Sequence, residues 1–108
     1  MVEAAGNISA EAIARFAAAE ARLYPMAMAD TDGYERAIRL VSLLAADLRK
    51  TCQDVDALLQ RRVELISLLP GIAATAKLSL SGLPPETVVD AALALRYREL
   101  QAVLSHRP

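Results

Sequence analysis

DGYERAIRLVSLLAADLRK, residues 32–50, decides the fold class, because no other stretch shows a helical period as clearly. Asp32 and Glu35 stand three positions apart, as the two side chains of a capping box do at the start of a helix. Arg49 and Lys50 close the stretch, where the helix dipole favours cations. Apolar residues recur between these ends at helical spacing: Tyr34, Ala37, Ile38, Val41, Leu44, Ala45 and Leu48. The stretch therefore predicts an amphipathic helix over residues 32–50.

The apolar surface of this helix is wider than one packing partner needs. Leu40 and Leu43 lie outside its stripe, and Leu65 and Leu68 lie outside the stripe of the next helix in the same way. A helix that packs on one side requires only a stripe, and exposed apolar area tends to become an interface. We therefore expect the helix over residues 32–50 to lie at the centre of the fold or in a subunit interface. We expect these leucines to bind a partner.

Three further stretches carry the same periodicity, so the chain is predicted to be one all-α domain spanning residues 1–108. Mostly short connections favour antiparallel neighbours, which makes a compact bundle of four main helices the predicted architecture. The chain ends, at 1–7 and 106–108, are expected to be frayed. The four helices are predicted at about 9–24, 32–50, 53–69 and 84–105.

Prolines and capping residues set the predicted helix boundaries. Asn7 or Ser9 caps the first helix, and Pro25 ends it, because the residue before a proline is pushed out of the α region. The third helix begins near Thr51 or Asp54 and stops before Pro70. Two prolines open the fourth helix, since proline suits the first helical turn.

Residues 72–83 admit two interpretations. The stretch KLSLSGL, residues 77–83, alternates as a strand does, but a lone strand would have no pairing partner. We therefore favour a short helical turn after Gly71, followed by a loop.

The same periodicity predicts which side of each remaining helix is buried. The predicted core residues are Ile13, Phe16, Ala17, Ala21 and Tyr24 in the first helix, Val55, Leu58, Leu59, Val63, Ile66 and Leu69 in the third, and Val89, Leu93, Tyr97, Leu100 and Leu104 in the fourth.

Composition supports an all-helical protein and disfavours two classes of function. Hydrophobic residues make up 55% of the chain, much of it Ala and Leu, and Trp is absent. The abundance of Ala and Leu and the use of Arg over Lys are typical of proteins from GC-rich bacterial genomes. The formal net charge of −1 argues against nucleic acid as the main partner. The longest apolar run is interrupted by Pro70 and Gly71, so we expect no membrane span.

One cysteine, Cys52, leaves no internal disulfide, and an acidic N-terminus does not resemble a signal peptide. Both features predict a cytoplasmic protein. Cys52 and His106 form no recognisable nucleophile and base pair, and no phosphate-binding or metal-ligand motif occurs. We therefore expect no enzymatic activity, no cofactor and no metal.

The corner YPMAMADTDGY, residues 24–34, is a candidate metal or contact site. Asp30, Asp32 and Gly33 lack the spacing of a calcium loop, so a helix cap explains Asp32 better. Met26 and Met28 are more often gap-fillers or an adhesive surface than metal ligands. Both methionines remain candidate contact residues for a partner.

Three arginines are candidate contacts for a partner. Arg62 falls on or beside the buried stripe of the third helix and would suit an acidic ligand or a partner's carboxylate. We favour a structural role, in which its stem covers apolar surface and its head reaches water or an acid such as Asp47. Arg96 and Arg98 flank Tyr97, where they would pair with a partner or be solvated around a buried tyrosine.

These observations predict a non-enzymatic interaction or assembly module, homodimeric through the second and third helices or bound to another helical protein. The alternative is a small transcriptional regulator or other nucleic-acid-associated protein. The junction KTCQD, residues 50–54, resembles the turn of a helix-turn-helix reader and precedes Arg61 and Arg62. However, Asp54 and Asp56 at the start of the third helix would repel phosphate, which makes nucleic-acid binding the weaker prediction.

Overall fold

The protein folds as a bundle of four α-helices, which confirms the predicted all-α class. A computed structural model describes residues 10–27, 31–80 and 82–105, and no strand occurs within these ranges. The predictions for residues 1–9, for Met28 and Asp30 and for residues 106–108 lie outside the described residues. The helices are α1 (Ala10–Ala27), α2 (Thr31–Thr51), α3 (Val55–Thr75) and α4 (Pro85–Ser105).

Contacts between distant residues relate the directions of α2, α3 and α4. Arg61 near the start of α3 bonds to Asp47 near the end of α2 across a short junction, so these two helices run antiparallel. Arg36 near the start of α2 bonds to Ser79, before α4, and Arg49 near the end of α2 bonds to Glu99 in the later part of α4, so α2 and α4 run parallel. α3 therefore runs opposite to both, as the short connections predict.

The central helix is α4. It packs against each of the other three helices, whereas α1 and α3 do not contact each other in the described ranges. Every residue from 88 to 94 is buried, and alanine occupies 91, 92 and 94, which lets neighbouring helices approach closely. The expectation that the second helix lies at the centre of the fold is therefore wrong, because α4 lies there. The alternative, that the second helix lies in a subunit interface, stays a prediction.

Two helices continue past the prolines that were predicted to stop them. α1 ends at Ala27 with Pro25 inside its last turn, and α3 ends at Thr75 with Pro70 inside it. Leu69 and Ala73 lie on either side of Pro70 and are buried against the core. Burying a leucine contributes roughly 1.5–3 kcal/mol, comparable with the local penalty of a proline in a helix. Packing therefore overrides the local preference.

The helix starts differ in how well they were predicted. Asp54 is the N-cap of α3, where its carboxylate accepts a bond from the Ala57 amide at 2.9 Å. Asp32, predicted to cap the second helix, instead lies inside the first turn of α2, because the helix already begins at Thr31. The carboxylate of Asp32 accepts a bond from Arg36, one turn later, at 3.1 Å.

The buried faces are rotated from the predicted stripes. In α1, Ala12, Phe16, Ala19 and Leu23 point inward, and Ile13 is exposed. Leu40 and Leu65 are fully buried, although their positions predicted a partner-binding surface. Conversely, some predicted core residues are exposed: Tyr34, Ile38 and Val63. Since each helix has apolar residues around much of its circumference, spacing alone could not determine which stripe faces inward.

No separate helical turn follows Gly71, because α3 itself continues to Thr75 and then ends in a Schellman motif. The Leu78 amide donates to the Ala73 carbonyl at 2.8 Å, and the Lys77 amide donates to that of Ala74 at 3.1 Å. This ending places Lys77 in the left-handed region with a φ of 59°. Glycine normally occupies that position, because a β-carbon is strained there.

A buried ion pair joins α3 to α4. Arg62 Nε donates to Asp90 Oδ1 at 2.6 Å, and Arg62 Nη2 donates to Asp90 Oδ2 at 3.1 Å. Asp90 is 4% exposed and lies inside the buried run of α4. The bond to Asp90 raises the pKa of Arg62, while burial acts in the opposite direction. The expected partner Asp47 is incorrect, because Asp47 bonds to Arg61 instead.

The left-handed Lys77 predicts a stabilising substitution. Lys77→Gly should raise the free energy of unfolding by about 1 kcal/mol, because it removes the strained β-carbon. Chemical denaturation monitored by circular dichroism measures the change. Lys77→Ala is the matched control, because it removes the charge but keeps the β-carbon, so an equal gain in both variants would contradict the explanation.

The Arg62–Asp90 pair predicts a double-mutant result. Arg62→Leu should lower the free energy of unfolding by about 3 kcal/mol, because Asp90 would be left buried without its partner. Arg62→Leu with Asp90→Leu should return to within about 1 kcal/mol of wild type. Arg98→Leu, which breaks the more exposed pair with Glu20, should cost less than about 1 kcal/mol. A small loss in Arg62→Leu alone would mean that the buried carboxylate does not need the pair.

Candidate protein-protein interaction site

A groove between α2 and α3 is a concave surface formed by described residues of both helices. Its volume is about 690 Å³, and the side chains along it are mostly apolar. Leu43 on one wall is 42% exposed, and Leu68 on the other is 44% exposed. We refer to this surface as the α2–α3 groove, lined by Leu43, Asp47, Arg61, Leu68, Gly71, Ile72, Thr75 and Ala76.

A second hollow extends the same surface along α2. It encloses about 420 Å³ and shares Leu43 and Ala76 with the α2–α3 groove. Ile38 and Leu78 add apolar surface there, and Arg39 adds a positive charge. The two hollows are therefore continuous, and together they run along the outer face of α2.

Polar bonds at both ends hold the groove open. At one end, Arg61 donates to both carboxylate oxygens of Asp47, at 3.0 and 3.1 Å, and also bonds to Glu64. At the other end, Arg36 Nη1 donates to the Ser79 carbonyl at 2.6 Å. Between these ties α2 and α3 contact each other less than any other touching pair of helices. Leu43 and Leu68 are therefore not closed over by their own fold.

Gly71 lies in the wall of the groove, and no close contact within the single chain requires a glycine there. A β-carbon added at this position would meet no atom within 4 Å. A glycine inside a helix costs about 1 kcal/mol relative to alanine. The single chain would therefore gain stability from a larger residue, whereas a partner that approaches the helix backbone closely would need the glycine.

Of the leucines predicted to bind a partner, Leu43 and Leu68 lie in the groove, and Leu40 and Leu65 lie in the core. Sequence reasoning missed Ile72, because Pro70 predicts a helix end before it, and it missed Leu78 in the ambiguous stretch 72–83. It also assigned Ile38 to the core. The signal that could have identified the groove was Gly71, since an exposed glycine within a helix calls for an explanation.

The α1–α2 corner is a different surface from the α2–α3 groove. Met26 is partly exposed on the last turn of α1, and Met28 lies outside the described residues. The rings of Tyr24 and Tyr34 meet edge to face, with their centroids 5.9 Å apart. Burial and the nearby Glu20 raise the pKa of Tyr24. The corner is thus partly closed by its own tyrosines.

Arg96 and Arg98 are engaged within the chain. Arg96 donates to the Cys52 carbonyl at 3.0 Å and to Glu99 at 3.2 Å. Arg98 bonds to Glu20 of α1. Glu99 also accepts bonds from Arg49, the shortest at 2.6 Å, so that α4, α2 and the junction after α2 meet in one polar network. These arginines secure the bundle, and their contact with a partner stays a prediction.

Other chemistries have little support in the described part of the chain. It contains no cluster of three or more histidine, cysteine or acidic residues that could hold a metal. Cys52 is buried and its sulfur lies 3.4 Å from the Ala57 carbonyl, while His106 lies outside the described residues. Arg61 and Arg62, which a helix-turn-helix reader would present to phosphate, are bonded to Asp47 and Asp90.

Comparison with known proteins adds no relative to this picture. No protein-family model matches the chain, and neither a search of curated proteins nor one of solved structures found a significant match. Within residues 10–27, 31–80 and 82–105, none of the helices combines the length and apolar character that a bilayer crossing requires. Any functional proposal therefore depends on the geometry described above.

The Glu99 network predicts a pH dependence of stability. The bond from Arg49, reinforced by Arg96, lowers the pKa of Glu99 below its ordinary value of 4.5. An acid with a depressed folded-state pKa contributes stability above its ordinary pKa and loses it as the pH falls through the folded-state value. Wild type should therefore exceed Glu99→Gln in stability at pH 7, and this difference should shrink below pH 4.5.

Denaturation curves of wild type and Glu99→Gln between pH 7 and about pH 3 measure this dependence. Glu11→Gln is the control, because Glu11 lies in the first turn of α1, away from the network. A gap between wild type and Glu99→Gln that does not change with pH would contradict the assignment.

Proposed function

We propose that this chain is a non-enzymatic interaction or assembly module that forms a homodimer through the α2–α3 groove. The observation that carries the proposal is the pair Leu43 and Leu68, which face an apolar groove from two walls and stay about two-fifths exposed. A fully buried leucine gains roughly 1.5–3 kcal/mol over an exposed one. Covering the remaining exposed area of both would therefore favour association.

The bracing of the groove supports a permanent binding surface. Arg61 and Arg36 tie α2 to α3 and to the loop after it, at opposite ends of the groove. A partner would therefore meet walls that are already in place, and it would not have to pay the entropy of ordering them. Gly71 adds a place where a helix backbone can approach closely.

A second copy of the chain is the partner that fits best. α2 supplies one wall of the groove, and its exposed residues Ser42, Leu43 and Ala46 line the neighbouring hollow. A two-fold interface requires one patch to be complementary to itself. Exposed leucine side chains beside unfilled apolar space meet this requirement, because each copy supplies both.

The alternatives have less support. Another helical protein could lay an apolar ridge in the same groove, but nothing in the described residues specifies such a partner. A nucleic-acid partner would need free cations, and those after the α2–α3 junction are already paired. A single buried cysteine is compatible with a reducing compartment, so we place the module in the cytoplasm.

Gly71→Leu tests the proposal without weakening the fold. Because an added β-carbon meets nothing within 4 Å, the leucine should fill the groove and stabilise the monomer by about 0.5–1 kcal/mol. It should also convert a wild-type dimer into a monomer of 11.6 kDa at micromolar concentration. Light scattering after size exclusion measures the mass, and thermal melting checks the stability.

Ala74→Leu is the matched control. It adds the same side chain to an exposed position of the same helix, on a face that does not line the groove. It should leave the dimer intact. A dimer that survives Gly71→Leu, or a wild type that is monomeric, would rule out this function.

A further inference from the structure

The outward face of α2 carries a regular series of exposed residues. Glu35, Arg39, Ser42, Ala46 and Lys50 recur every three or four positions, so they lie along one side of the helix. The charges are at the ends of the series and the small residues are at its middle. Leu43 lies beside the small residues and faces the α2–α3 groove. The series and the groove therefore belong to one continuous surface.

The charges at the two ends of this series have no ion-pair partner among the described residues. Glu35 and Lys50 are exposed, and neither forms an ion pair with any described residue. By contrast, the neighbours Arg36 and Arg49 are bonded to Asp32 and Glu99. One end of the exposed face is thus negative and free, and the other end is positive and free.

A two-fold axis brings these free ends together. Suppose that a second α2 packs antiparallel on the first, with the two-fold axis between Ser42 and Leu43. Each residue on one side of the axis in the first copy then faces the residue at the same distance on the other side of the axis in the second copy. Glu35 then lies opposite Lys50 of the second copy, and Lys50 lies opposite Glu35, which gives two identical ion pairs. Arg39 lies opposite Ala46 and next to Asp47, so no cation meets another on this face.

We infer that the occupant of the surface is a second copy whose α2 packs antiparallel on the first, held by reciprocal Glu35–Lys50 pairs. This inference depends on the proposed homodimer and specifies its geometry. Shifting the axis to Leu43 would place Lys50 opposite Arg36, and a further shift would place it opposite Arg39. Like charges directly opposite one another disfavour association, so the charge pattern disfavours both of these shifts.

The middle of the series suits the same arrangement. Ser42 and Ala46 are small, and two helices with small residues at their contact can approach to about 8 Å between axes. At that separation Leu43 of each copy would reach the groove beside the other α2, where Leu68 is exposed and Gly71 leaves room. The apolar contact supplies the affinity, and the paired charges set direction and register.

Charge reversal with mixing tests this geometry. In the Glu35→Lys variant, both pairs would consist of two lysines. In the Lys50→Glu variant, both pairs would consist of two glutamates. Each single variant should raise the dimer dissociation constant at least about tenfold in sedimentation equilibrium. The variant with both substitutions should dimerise nearly as well as wild type, since it restores two opposite-charge pairs.

The decisive arm is an equimolar mixture of the two single variants, one of them isotopically labelled so that the dimers differ in mass. In a two-fold antiparallel dimer, Glu35→Lys and Lys50→Glu chains complement each other at both pairs, so native mass spectrometry should show heterodimers well above the half share that random pairing gives. Thermal melting of each variant confirms that it is folded. Single reversals that leave the dissociation constant unchanged, or a mixture without preferred heterodimers, would overturn the antiparallel register.

The outcomes separate this inference from the proposed function. If Gly71→Leu abolishes the dimer and the charge reversals have no effect, the groove binds a second copy in another register. If wild type sediments as a monomer, both the homodimer and its register are overturned.

Discussion

The ion pair between Arg62 and Asp90 is the constraint on which the arrangement of the helices depends. Asp90 lies within the most buried segment of the bundle, where an unpaired carboxylate would be very costly. Arg62 reaches it with two nitrogens from α3 and keeps 24% of its own side chain exposed. The fork of the guanidinium matches the carboxylate only at one height and one rotation of α3. Side-chain packing alone would tolerate several heights and rotations of α3.

This constraint accounts for the uneven contacts around the bundle. The buried pair fixes α3 against α4. The inner face of α3 is then buried, with Val55, Leu58, Leu65 and Leu69 on it. Its contact with α2 is the slightest of any touching pair of helices, and Arg61 ties the two helices at the surface. The space left between α2 and α3 is the groove in which Leu43 and Leu68 stay exposed. A binding surface thus follows from how the core is closed.

Much of the architecture could be predicted from the sequence, because helix formation depends largely on local spacing. The start of α4 at Pro85, the cap at Asp54 and the cationic end of α2 all follow from nearby residues. The continuation of α3 through Pro70 could not be predicted in this way, since it depends on burial of Leu69 and Ala73 by other helices. Because apolar residues lie around much of each helix, the sequence also left the rotation of each helix undetermined. Leu40 is therefore buried where exposure was predicted, and Ile38 is exposed where burial was predicted.

The candidate site was predictable only in part, for the same reason. Leu43 and Leu68 were identified as surplus apolar residues, and both lie in the groove. The partner of Arg62 is distant in sequence, and local patterns favoured the nearer acid Asp47. Ile72 could not be assigned from the sequence, because Pro70 predicts a helix end before it. What local pattern cannot supply is the relative placement of helices, which is set by contacts between residues far apart in the chain.

The most direct test of the central claim is a dilution series followed by methyl and amide nuclear magnetic resonance. Changes in chemical shift on going from dilute to concentrated protein map the surface on which the chain meets itself. They should concentrate at Leu43, Leu68 and Ile72 and along the outward face of α2. Changes confined to the opposite side, around Ile13 and Val103, or no change with concentration, would show that the α2–α3 groove is not where this protein binds a second copy of itself.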